Sequence, residues 1–151
     1  MKKIVILVVV IFIGYGAYNY YMKLKQQNFT KKEYNNRQNY ILYQDNLELS
    51  YIIDVINNGS NRLFLKGGEM EGGFVPKSKA KDVACYILDK RGTLCKGGFS
   101  KDAALFYSSN CAGCHGIDMK GIKGSFPNLL HKPFLGFQKW LKEKNIKEGL
   151  K

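Results

Sequence analysis

The stretch that decides the fold reads FYSSNCAGCHGID, residues 106–118, and within it Cys111, Cys114 and His115 form the pattern C-x-x-C-H. At the end of a helix this spacing lets both thiols reach the vinyl groups along one edge of a haem, while the adjacent imidazole turns beneath the ring. The chemistry it points to is covalent c-type haem, with Cys111 and Cys114 each supplying one bond and His115 serving as the proximal iron ligand. A thioredoxin-like dithiol would need a β-α-β context, which the surrounding sequence lacks. A zinc site recruiting Cys85 and Cys95 is a weaker alternative, because their spacing is not that of a zinc knuckle.

Upstream, the chain begins MKKIVILVVVIFIGYGAYNYYMK. Lys2 and Lys3 precede nineteen residues, Ile4 to Met22, in which Asn19 is the only clearly polar side chain. Nineteen helical residues span roughly 28 Å, about one hydrocarbon core. Residues 1–22 are therefore expected to be a membrane anchor, with Tyr15, Tyr18, Tyr20 and Tyr21 in the interfacial belt. A cleaved secretory signal is the alternative, with Gly14 and Gly16 as its small residues. Both readings send the chain out of the cytoplasm. Export implies an oxidising compartment, which favours a disulfide between Cys85 and Cys95 over two free thiols.

The formal net charge is +12, and only Lys2 and Lys3 of that excess lie before residue 23. Such a surface suits an acidic partner protein or anionic lipid headgroups. No groove-reading motif appears and export removes the opportunity, so nucleic acid is not an expected partner.

Residues 23–44 are polar, basic and free of Gly and Pro, with no sustained apolar period before Tyr40. They read as a basic tether, partly helical at best. From Asp45 the pattern changes, because Leu49, Ile52, Ile53 and Ile56 recur at helical spacing and stop at Asn57-Asn58-Gly59. A glycine-studded loop leads to a second helical stripe of Val83, Ala84, Ile87 and Leu88, ending at Gly92. A third helix is expected to start at Ser100 as N-cap and run into the cysteines. A last one carries Phe137, Trp140 and Leu141 inward. Four short helices and long glycine-rich loops predict an all-α fold wrapped around a cofactor, occupying residues 45–151.

The stretches AALFYSSNCAGCHGIDMKG, GSFPNLL and FQKWLKE together resemble the first half of a class I cytochrome c. In that family a proline carbonyl accepts a hydrogen bond from the proximal histidine, a role the resemblance assigns to Pro127 beside His115. It also implies haem attachment on the periplasmic side of a bacterial inner membrane, which orients the anchor with residues 23–151 outward.

Members of that family carry a distal methionine downstream of the haem motif. Here the only downstream Met is Met119, four residues from His115, too short a tether to round the porphyrin edge. His131 has a longer tether and is an alternative ligand. Upstream, however, DNLELSYIIDVINNG and GGEMEGGFVPKSKAKDVACYIL resemble the family's distal half: a helix, a glycine-rich loop with the ligand methionine, and the C-terminal helix. The resemblance thus implies a circular permutation, with residues 45–90 as the distal-ligand half, 99–151 as the haem-attachment half, and Met70 as the distal ligand. A short connector could fuse the original termini, since the family's first and last helices pack together.

The expectation is a membrane-anchored, periplasm-facing monohaem cytochrome c carrying single electrons between respiratory complexes, and not a catalyst in its own right. The alternatives are a five-coordinate haem sensor or enzyme subunit, and a zinc-binding structural protein.

Overall fold

The computed structural model describes residues 2–122 and 124–146, with side chains described from residue 12 onward. Five helices occur among them: α1 (Lys2–Asn58), α2 (Lys77–Lys90), α3 (Ala103–Asn110), α4 (Ala112–His115) and α5 (Phe137–Glu143). The chain divides into two compact units, Met1–Ile41 and Leu42–Lys151.

The first unit is helical. Residues 23–44, expected to be partly helical at best, lie within α1 throughout. The physical reason is local: Lys, Leu, Gln, Glu and Arg are good helix formers, no Gly or Pro interrupts, and extending a formed helix is far easier than starting one. Thr30 adds a side-chain bond of 2.8 Å to the Gln26 carbonyl. Its aromatic side chains, among them Tyr15, Tyr18, Phe29 and Tyr34, are exposed. Among the described residues no helix is long and apolar enough to cross a membrane. The anchor expected over residues 1–22 falls partly outside them, since the side chains of residues 1–11 are not described.

The second unit is built on apolar stripes. At the end of α1, Tyr51, Ile52 and Ile56 are buried, and the helix stops at Asn58 where Gly59 takes a left-handed φ of 78°. Pro76 precedes α2, which buries Ala80, Val83, Ala84, Ile87 and Leu88 along one face. Burying each of the larger aliphatic side chains contributes about 1.5–3 kcal/mol, so this face determines where α2 docks and its lysines are left to solvent. The helix ends at Arg91, and Gly92 follows with a φ of 74°.

Helices α2 and α3 pack against each other. Tyr86 of α2 meets Tyr107 of α3 at a centroid distance of 5.7 Å, and Phe99 of the connector at 5.6 Å. Cys85 and Cys95 are joined in a disulfide, which fastens that connector back to α2.

Ser100 does not cap α3. Asp102 occupies the N-cap without a side-chain bond, and the Ser100 hydroxyl instead donates to Asp82 of α2 at 2.7 Å. Phe137, Trp140 and Leu141 of α5 are buried, as their spacing predicts. No strand forms among the described residues, and Ser60 and Met70 make an isolated antiparallel bridge.

Candidate haem-binding site

Helix α3 delivers the haem motif. The amide of Cys111 bonds to the Tyr107 carbonyl at 2.8 Å, and the single turn α4 closes with the His115 amide on the Cys111 carbonyl at 2.9 Å. Cys111 is buried and Cys114 is exposed, one turn further on. Burial, followed by the nearby Cys114, pushes the Cys111 thiol up to about 11, so it is held as a neutral thiol. Gly116 ends the turn with a φ of 77°. The buried Tyr107 hydroxyl then donates to the Gly116 carbonyl at 2.7 Å and fixes the exit from the motif.

His115 is buried, with its Nδ1 3.0 Å from the carbonyl oxygen of Pro127. A carbonyl can only accept, so Nδ1 carries the proton and the lone pair lies on Nε2. Burial pulls the His115 pKa below its ordinary value, against the opposing effect of the Pro127 bond, and favours the neutral imidazole that a metal requires. The intervening loop folds tightly, with the Gly121 amide on the His115 carbonyl at 2.8 Å. A Cβ on Gly121 would collide with the Phe126 carbonyl, and its φ is 76°.

A cleft opens beside these residues, with about 780 Å³ of empty space including that open to solvent. Cys111, His115 and Pro127 line it, and so does Met70. Ile52 and Ile56 of α1, Ile87 of α2 and Leu129 supply apolar walls. The cleft fits a haem: apolar sides, an attachment thiol, an imidazole with its lone pair fixed on one nitrogen, and a soft thioether. When bound, haem c supplies a one-electron iron couple; the protein supplies orientation and an apolar surround.

Of the residues singled out from the sequence, Cys111, His115, Pro127 and Met70 come together on this cleft, and Cys114 lies exposed at the end of the same turn. Met119 is 2 % exposed and packs in the core cluster. His131 is exposed, with Nδ1 donating to the Pro133 carbonyl at 2.6 Å. Sequence reasoning did not single out Tyr51, Leu63, Leu65 or Phe134 as lining residues. Leu63, Phe64 and Leu65 form one uniform apolar run in the sequence, and only the folded loop sets the half-buried leucines apart from the exposed Phe64.

A C-x-x-C-H turn with its imidazole tied to a proline carbonyl inside an all-helical shell defines a c-type cytochrome domain, and its cofactor is haem c. Residues 100–150 match the family model for cytochrome c. Among characterised proteins, the chain is 33% identical over 76 residues to the cbb3-type cytochrome c oxidase subunit CcoP of Helicobacter pylori strain ATCC 700392 / 26695. It shows the same 33% identity over 76 residues to the CcoP of strain 52. The aligned stretch is 48% of this chain but 27% and 26% of those relatives, so the chain spans about a quarter of their length. No solved structure matches it.

Proposed function

We propose that this protein is a membrane-anchored monohaem cytochrome c whose domain faces the periplasm and passes single electrons within a respiratory chain. His115 and Met70 would hold the haem iron, and the halves of the domain follow one another in permuted order. The observation that carries this reading is that Met70 and His115, far apart in sequence, line one cleft with Cys111.

The matched family segment, residues 100–150, contains a single methionine, and that residue, Met119, is buried in the core cluster. This supports a distal thioether from outside the segment, and Met70, which lines the cleft, is the candidate. The packing of α2 on α3 across a short connector supports the permuted order, because it joins the elements that the resemblance treats as last and first. The Cys85–Cys95 disulfide supports an oxidising compartment, and the apolar run Ile4–Met22 supplies the anchor. Similarity to an oxidase subunit points to a respiratory oxidase complex as partner, with the net charge of +12 favouring an acidic docking face.

The test is spectroscopic. Met70→Ala is expected to lower the reduction potential and to remove the sulfur-to-iron charge-transfer band of the oxidised protein, while Met119→Ala changes neither. Loss of the band in Met119→Ala but not in Met70→Ala would refute the arrangement.

A further inference from the structure

The loop that carries Met70 is fastened to the end of α1 by main-chain groups. The Ser60 amide donates to the Met70 carbonyl at 2.8 Å, the Met70 amide returns a bond of 3.0 Å to the Ser60 carbonyl, and the Gly73 amide reaches the Ile56 carbonyl at 2.9 Å. Both polar backbone groups of Met70 are thus committed to one residue just past the helix terminus.

Two glycines make this approach possible. A Cβ on Gly59 would collide with the Met70 carbonyl and lie 2.9 Å from the Gly72 amide nitrogen. A Cβ on Gly72 would lie 2.5 Å from the Asn57 carbonyl oxygen and 2.6 Å from the Gly59 amide nitrogen. These are backbone obstacles, which no rotamer change can relieve. Gly59 also needs its positive φ, whereas Gly72 has no such requirement, so the need for glycine there is one of space alone.

We propose that Gly59 and Gly72 are positioning residues for the distal thioether: their missing side chains let the loop seat against the end of α1, and this seating determines where Met70 enters the cleft. The inference rests on the reading of Met70 as ligand. Paired glycines around a methionine would suit any mobile loop, but a mobile loop would not have its Met backbone bonded in both directions.

The experiment compares three variants of the full-length holoprotein: Gly72→Ala, Met70→Ala and, as a control, Glu69→Ala, which changes an exposed neighbour without filling the contact. Gly72→Ala is expected to keep wild-type haem staining and helical circular dichroism, yet to lose the charge-transfer band and show a lowered potential, as Met70→Ala does. Glu69→Ala is expected to keep both. A wild-type band and potential in Gly72→Ala, alongside their loss in Met70→Ala, would overturn the positioning role and leave the ligand reading standing. Retention of the band in Met70→Ala would overturn both. Should Gly72→Ala yield no holoprotein, amide exchange in the wild type decides. Ser60 and Met70 amides as protected as those of α2 support the seating, and open-loop exchange rates overturn it.

Discussion

The indole N–H of Trp140 donates to Oδ2 of Asp54 at 2.7 Å, joining α5 to the end of α1. Asp54 also accepts from Asn58 at 2.7 Å and faces Arg62 and Lys144 at 3.8 and 3.9 Å. Partial burial raises its pKa, but the bonds from Asn58 and Trp140 and the two cations outweigh that and hold the carboxyl below its usual value. A carboxyl with a depressed folded-state pKa contributes stability above its unfolded value, about 3.9, and that contribution is lost as pH falls through the folded value. Melting temperature should therefore decline as pH drops below about 4. Asp54→Asn should lower stability at neutral pH by about 1–3 kcal/mol and blunt the acid decline. Equal acid sensitivity in wild type and variant would show that other carboxyls govern it.

Arg91 is 7 % exposed and grips Glu48 of α1 with two bonds, at 2.8 and 3.4 Å, while its guanidinium carbon lies 3.6 Å from the Phe134 ring centroid. Removing one partner of a buried pair leaves the other charge uncompensated. Arg91→Ala should thus cost about 3–5 kcal/mol in denaturant unfolding. Arg91→Lys should recover only part of this, since an ammonium has neither the fork nor the stacking plane. A midpoint unchanged by Arg91→Ala would show that the pair contributes nothing.

Met119 separates packing from ligation. Being 2 % exposed within the core cluster, it should cost about 2–5 kcal/mol on truncation to alanine through the cavity left behind. The reduction potential of the surviving holoprotein should not move.

Cys111→Ala or Cys114→Ala should abolish normal holoprotein, because each thiol supplies one covalent bond. A wild-type haem-stained band from either variant would count against the site.

If the basic surface steers an acidic redox partner, the bimolecular electron-transfer rate should fall steeply as salt is added. A flat or rising profile would leave the charge without that role.

What could be read in the sequence was whatever lay on a local pattern. The C-x-x-C-H turn, the stripe Val83-Ala84-Ile87-Leu88 and the trio Phe137, Trp140 and Leu141 each declare themselves within a few residues, and all are buried or cleft-lining except the exposed Cys114. Residues 23–44 did not, because a helix exposed on every side has no apolar period to betray it. Ser100 looked like a cap because its hydroxyl suits one, but the side chain found Asp82 on another helix, a partner no local pattern contains. Tyr51 is buried through a hydroxyl bond of 2.7 Å to the Leu135 carbonyl, which only the folded loop supplies. The pairing of His115 with Pro127 was legible only through family resemblance.

Four cysteines can pair completely in three ways, and two of these would tie one thiol of the haem motif to α2 and the other to the connector between α2 and α3. Cys85 is 0 % exposed on the docked face of α2, whereas Cys114 remains exposed. Docking of α2 therefore shields the Cys85 sulfur from thiol exchange, while Cys114 of the motif stays within reach of a reductant. The fold itself thus gives the disulfide and the haem-attachment thiols different access to solvent.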